Sequence, residues 1–317
     1  VSDHDHDHDH GHHGHGDHAH GHHAVPDRIG RAFAIGIALN LAFVAIGVVA
    51  GLAARSTALL ADAVHNLGDV LGLAMAWGAT VLARQARTAR RTYGLRRTTI
   101  LAALFNAMLI LVALGGVTWE ALHRLQGAPT VDGRLVAAVA AIGVVINVAA
   151  AMLFAGGRRA DLNQRGAFLH LVADAAVSAG VVIAGGVVWA TGWSWIDPAT
   201  SLAVSAIIVA GTWRLLREAL DLLLDAVPPH IDPVEVERYL AGLPGVTGVH
   251  DVHIWSMSTT EVALTAHLVV PAPSAPTFVG EVVAEIGRRF RISHATIQLE
   301  PVDLGADCRP CRPAAAA

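Results

Sequence analysis

Between Arg31 and Arg55 the chain carries no charged side chain, and a run of that length decides the fold class. About 20 apolar residues in a helix cross the hydrocarbon of a bilayer, and a helix satisfies its own backbone polar groups there. Five further apolar segments follow, so the set has approximate limits 32–54, 57–83, 98–122, 135–156, 166–191 and 198–219. The composition agrees: 54% of the 317 residues are hydrophobic and 15% are charged. With a mean hydropathy of +0.50 the chain is too apolar for an ordinary soluble protein. A formal net charge of −4 leaves no global basic excess and no argument for a nucleic-acid partner.

Arginines mark the sides of the membrane. They collect at Arg84, Arg87, Arg90, Arg91, Arg96 and Arg97 after the second segment, at Arg158, Arg159 and Arg165 after the fourth, and at Arg214 and Arg217 at the end of the sixth. The other connections hold Arg55, then Arg124 and Arg134, then none. Basic residues stay on the cytoplasmic side, so both termini are expected there.

Two of the segments carry ionisable residues in their interior. The second, LLADAVHNLGDVLGLAMAWGA, holds His65 and Asp69, and the fifth, GAFLHLVADAAVSAGVV, holds His170 and Asp174. An i, i+4 spacing stacks each pair on one helix face. A charge at the centre of a membrane helix costs roughly 2.5–3.5 kcal/mol on insertion scales, so such residues face a partner, a cavity or a pathway. A single His is more often a hydrogen-bonded packing residue; the repetition argues otherwise. The two segments run in opposite directions, and their faces together offer two nitrogens and two oxygens, a tetrahedral set suited to Zn(II). Asp62 shares the face of Asp69 two turns earlier and is expected on the outer route. Asn40, Asn66, Asn106 and Asn147 read as interhelical hydrogen-bonding residues.

After Val227 a Pro-Pro pair ends the last apolar helix, and the composition becomes that of a soluble domain. DPVEVERYLAGL reads as a helix opened by Asp232 and Pro233, VHDVHIWSM and EVALTAHLVV as strands, PTFVGEVVAEIGRRF as a helix and HATIQLE as a strand. The order αββαβ predicts a small α+β, ferredoxin- or metallochaperone-like sandwich. A hairpin centred between Ser258 and Thr259 places His250 opposite His267, near enough for both imidazoles to reach one ion, and sends His253 to the other face. His294 and Glu300 share a face by parity. Glu300 is then a candidate carboxylate for the histidine pair and His294 a partner for Cys308 and Cys311. The alternative is a set of solvated histidines on a polar sheet face.

The ends have their own character. Residues 1–24 interleave His4, His6, His8, His10 and further histidines with Asp and Gly, without an apolar h-region. This composition predicts a disordered collector of divalent ions. Cys308 and Cys311 stand as CRPC, a thiolate clip or redox pair rather than a disulfide framework. The expected domains are a His-rich tail over 1–28, a six-helix transmembrane domain over 29–226, a soluble α+β domain over 227–303 and a CxxC tail over 304–317.

ALLADAVHNLGD, RTYGLRRTTILAALFNA, AFLHLVADA, GVHDVHIWSMS and HATIQLE resemble the corresponding stretches of the cation diffusion facilitator family, proton-coupled zinc and cadmium exporters. The resemblance runs from about Asp27 to Cys311. It implies that His65, Asp69, His170 and Asp174 are transport-site ligands and that the soluble domain is a dimerising, metal-sensing module. It also implies cytoplasmic zinc positions at His250, His267 and Glu300, with His294, Cys308 and Cys311 as a second such set. The loop LARQARTARRTYG has no His or Asp, so the loop zinc site of some relatives is not expected.

The expected function is proton-coupled efflux of Zn(II), with Cd(II) and Co(II) as further substrates, by alternating access from the inner membrane of a bacterium. Zn(II) is then both substrate and regulatory ligand, and protons, lipid and a second copy of the chain are the partners. Imidazole binds metal only when deprotonated, so protons and metal exclude each other at the site. Two rival readings are an intramembrane zinc-dependent hydrolase and a membrane-anchored metal sensor. Four ligands would close the coordination position a hydrolase needs for water, and a sensor leaves both buried pairs without a purpose.

Overall fold

The apolar runs form helices, and the polar remainder forms a small sheet domain. In the computed structural model, which describes residues 27–127, 129–155, 162–271 and 275–302, α1 spans Asp27–Ala54, α2 Thr57–Ala83, α3 Thr98–Leu125, α4 Gly133–Ala155, α5 Leu162–Thr191 and α6 Ile196–Leu223. The soluble part continues with α7 (Pro233–Ala241), β1 (Gly248–Ser256), β2 (Val262–Val269), α8 (Phe278–Phe290) and β3 (His294–Glu300). Two compact units divide after Ala38. The described part of the first is the leading stretch of α1; the second holds the rest of the bundle and the sheet domain. Residues 1–26 of the His-rich tail, Cys308 and Cys311 lie outside the described residues, and the last two positions of the expected tail, Asp27 and Arg28, open α1.

Among the described residues five helices are long and apolar enough to cross a membrane, and Asn40–Ala54 of α1 forms a shorter apolar helix beside them. Their outward faces are apolar. Val112, Val145, Ile183 and Ile207 are each well over half exposed, a surface that suits acyl chains and not water. The interior of the bundle is built from small and branched side chains. Ala54, Ala58, Leu59, Leu114, Val136, Ala140 and Val181 belong to one cluster to which all six helices contribute. Small residues let the backbones approach. At the crossing of α4 and α5 a Cβ on Gly133 would meet the Gly185 carbonyl oxygen at 2.4 Å.

The start of α2 is fixed by a buried carboxylate from α6. Ser56 caps α2, its Oγ accepting from Leu59 N at 3.0 Å. Asp197 accepts from Thr57 N at 2.7 Å, from Thr57 Oγ1 at 3.0 Å and from Ser56 Oγ. Ser201 Oγ adds a bond to the Thr57 carbonyl at 3.1 Å. A negative charge at a helix N-terminus is favoured by the helix dipole and by the free N–H groups there, so α2 is anchored to α6 just before its ionisable turns.

In the soluble domain α7 starts as its sequence signals, with Asp232 accepting from Val234 N and Glu235 N and Pro233 in the first turn. Val282, Ile286 and Phe290 recur every four residues along α8 and are buried. They pack with Leu264, Ala266 and Leu268 of β2 into one core. The sheet order is β1-β2-β3, antiparallel then parallel.

The hairpin register departs from expectation in an instructive way. Next to the turn the pairs are Ser256↔Val262 and Ile254↔Leu264, one residue off a hairpin centred between Ser258 and Thr259. A bulge between His250 and His253 takes up one extra residue, after which His250 stands opposite His267 as expected. Asp251 occupies it with φ +52°, the left-handed conformation that an aspartate tolerates better than most residues. The bulge also corrects the face of His253. Val249, Val252 and Ile254 pack against the core, which turns His253 to the same side as His250. Without the extra residue their odd separation would put them on opposite faces.

Candidate metal centre

The two pairs of ionisable residues converge. The register of each helix stacks His65 above Asp69 on α2 and His170 above Asp174 on α5, and the facing of the two helices closes the group. His65 Nε2 donates to Asp174 Oδ1 at 2.9 Å and lies 3.8 Å from Asp69 Oδ2. His170 Nε2 lies 3.6 Å from Asp69 Oδ2 and 3.5 Å from Asp174 Oδ2. Ligands about 2.0–2.1 Å from a tetrahedral Zn(II) are about 3.3 Å from each other, so the four imidazole–carboxylate separations are near the edge of such a site, with Asp174 turning a different oxygen to each imidazole. Ligand atoms of His65, Asp69 and Asp174 lie within 4.8 Å of one another; His170 is outside that set and approaches the two carboxylates alone. The imidazole rings meet edge to face, with centroids 6.3 Å apart.

Burial is uneven across the group. Side-chain exposure is 8% for Asp174 and 16% for His65, but 38% for Asp69 and 53% for His170. Asp174 and His65 thus form the buried side of the group, and Asp69 and His170 its more exposed side. Asp62 is buried and accepts from Ser178 Oγ at 3.2 Å, which carries the polar ladder one turn further toward the starting end of α2. Ser178 is not among the candidates read from sequence, although it stands at the next i+4 step after His170 and Asp174. Asn66 Nδ2 donates to the Asp62 carbonyl of its own helix at 2.8 Å and not across helices. Asn106 packs against Gly72, one turn from Asp69; its Oδ1 and Asn147 Nδ2 have no hydrogen-bond partner among the described residues.

A second group forms on the open face of the sheet. His267 Nδ1 donates to Glu300 Oε1 at 2.9 Å, and His250 Nε2 is 3.2 Å from Glu300 Oε2. The two rings are 5.2 Å apart between centroids. Ligand atoms of His250, His267 and Glu300 lie within 4.8 Å of one another, with Glu300 buried. Asp251 joins from the bulge, 3.7 Å from His267 Nε2 and 3.0 Å from His253 Nε2. The strand pattern gives no warning of Asp251, because a bulge is set by pairing and not by local composition. His294 stands at the other end of β3, about 20 Å from Glu300 at 3.3 Å per residue. Its ring packs edge to face against Tyr93.

Comparison with known proteins agrees with this architecture. Residues 33–224 match the family model described as cation efflux transmembrane domain, and residues 228–302 match that of the cation efflux protein cytoplasmic domain. The metal cation efflux system protein CzcD of Cupriavidus metallidurans is 34% identical over 282 residues, 88% of this chain and 89% of that one. The zinc transporter ZitB of Escherichia coli is 33% identical over 290 residues, 90% of this chain and 92% of that one. A protein of Bacillus subtilis named cadmium, cobalt and zinc/H(+)-K(+) antiporter is 32% identical over 264 residues, 81% of this chain and 85% of that one. These relatives give the hydrolase and sensor readings no support. A transmembrane domain followed by a small cytoplasmic domain is the shared plan, and the chain belongs to the cation diffusion facilitator family of cation efflux transporters, not to an enzyme family.

Proposed function

We propose that the protein exports Zn(II), with Cd(II) and Co(II) as further substrates, in exchange for protons. The observation that supports this reading is the approach of His65, Asp69 and Asp174 to within 4.8 Å of one another, with His170 3.6 and 3.5 Å from the two carboxylates. Two imidazoles and two carboxylates give borderline softness and two negative charges, which match a divalent ion in a low-dielectric bundle. The names of the Cupriavidus, Escherichia and Bacillus relatives support the substrate class, and the Bacillus name supports a proton partner.

Coupling follows from ligand chemistry. Imidazole nitrogen holds either a proton or the metal. Ion entry from the cytoplasm releases protons from the site, and protons arriving from the opposite side displace the ion. Rocking of the bundle between inward-open and outward-open forms separates the two events. Asp62 and Ser178 lie toward the starting end of α2 and serve the outer route.

The division proposed is a His-rich tail over 1–28, a transmembrane domain over 29–226, a soluble domain over 227–303 and a CxxC tail over 304–317. Both termini are cytoplasmic. His250, His267 and Glu300 bind a regulatory Zn(II) that tightens a homodimer, and His294 with Cys308 and Cys311 forms a second cytoplasmic set. Regulation requires that this ion prefer one state of the transporter.

Zinc uptake into everted vesicles tests the proposal. Uptake is expected to rise with an imposed proton gradient and to be lost in His65→Ala and Asp174→Ala. Flux indifferent to the gradient excludes antiport, and parental flux in either variant excludes the quartet as the transport site.

A further inference from the structure

We propose that an open cavity at the end of α2 binds the phosphate of an anionic membrane lipid. The cavity encloses about 500 Å³. One wall is Thr80, Arg84 and Arg87 at the end of α2, a second is Tyr93, Arg96 and Thr99 leading into α3, and the third is the tip of the β1–β2 hairpin from Ser258 to Glu261.

The charges around it are not self-neutralising. Glu261 is the single acid of the lining and is paired with Arg96 at 2.7 Å. Among the described residues Arg84 and Arg87 have no ion-pair partner. Three arginines against one glutamate leave two positive charges facing the space. The hairpin amides are already used: Thr260 N and Glu261 N donate to Ser258 Oγ at 3.2 and 3.0 Å, and Thr259 N donates to Thr99 Oγ1 at 3.1 Å. An anion here is held by guanidinium forks, with the hydroxyls of the lining as further donors. A planar guanidinium matches two phosphate oxygens at once.

Depth selects the source of the phosphate. Val81 and Leu82, 49% and 41% exposed, are outward-facing apolar residues within one turn of Arg84. Arg84 thus stands where hydrocarbon gives way to headgroups, and long basic side chains at that level reach lipid phosphates. A headgroup seated there touches α2, the connection into α3 and the hairpin together, so it ties the soluble domain to the bundle. The inference rests on α2 spanning the membrane and is independent of the metal quartet.

The test titrates the full chain in neutral detergent with phosphatidylglycerol, with phosphatidylcholine as reference, and reads bound lipid by native mass spectrometry. Phosphatidylglycerol is expected to bind in preference. The double variant Arg84→Gln/Arg87→Gln should weaken it about twenty-five-fold, at about fivefold per arginine. Arg214→Gln/Arg217→Gln, a pair at the far end of α6, should change it by less than about threefold, since it removes only general surface attraction. Equal losses from both pairs, or no loss from the first, overturn the proposal. Displacement of the lipid by millimolar inorganic phosphate assigns the cavity to a free anion and overturns the lipid source. Should the double variant not fold, Arg87→Gln alone should weaken binding about fivefold, and an unchanged affinity again overturns it.

Discussion

His65 Nε2 and Asp174 Oδ1 meet at 2.9 Å although 109 positions separate them in the chain. Two antiparallel helices that each carry a His and an Asp one turn apart reach this arrangement only if both polar faces turn inward toward one another. A cross-helix imidazole–carboxylate contact then sets the spacing of all four groups. Replacing one imidazole by a carboxylate, His65→Asp, hardens the ligand set. The variant is expected to lose zinc preference and to admit Mn(II). Competition of Mn(II) against labelled zinc in vesicles measures this; an unaltered metal series would remove His65 from the site.

Zinc affinity of the membrane site is expected to fall as pH is lowered, because each ligand binds in its deprotonated form. The sign is fixed: protons and metal compete, so binding releases protons and acid opposes it. Calorimetry in two buffers of different ionisation enthalpy reads the number released. An apparent binding heat that is the same in both buffers would mean that no proton leaves, contrary to exchange.

Part of this arrangement was legible from residue order alone. The His-x-x-x-Asp spacing places both pairs on helix faces, and Asp232-Pro233 marks the start of α7. Apolar run lengths gave the helices to within a few residues. What local sequence does not carry is pairing between distant elements. Asp197 reads as an ordinary helix-start aspartate, yet it reaches across to Ser56 and Thr57. The bulge at Asp251 likewise depends on how β1 meets β2, so the face of His253 could not be read from parity.

Removing the Asp197 carboxylate should destabilise the bundle. Asp197→Ala leaves the N–H and hydroxyl of Thr57 and the hydroxyl of Ser56 without their buried acceptor. The expected cost is about 3 kcal/mol, seen as a midpoint of thermal unfolding lowered by several degrees. Asp225→Asn, which removes the charge of an exposed pair with Arg97 and keeps a residue that tolerates the left-handed backbone there, φ +61°, is expected to shift it by a degree or two at most. Similar midpoints for the two variants would show that the Asp197 contact adds nothing.

The sheet site should be separable from the membrane site. Glu300→Ala removes the carboxylate shared by His250 and His267 and is expected to lower bound zinc by one ion per protomer while the membrane site stays occupied. Asp251→Gly keeps the left-handed backbone, to which glycine is suited, and removes the carboxylate beside His267. It should weaken the sheet site about tenfold. Zinc titration against a chelating indicator measures both.

The most direct measurement is zinc-edge X-ray absorption on protein lacking residues 1–26 and 303–317 and carrying Glu300→Ala, so that the bundle alone retains a proposed ligand set. One zinc per chain with two imidazoles and two carboxylate oxygens at about 2.0 Å is predicted, and His170→Ala should remove one imidazole from that shell. A chain that holds no zinc, or a shell of six oxygens untouched by His170→Ala, would contradict the account.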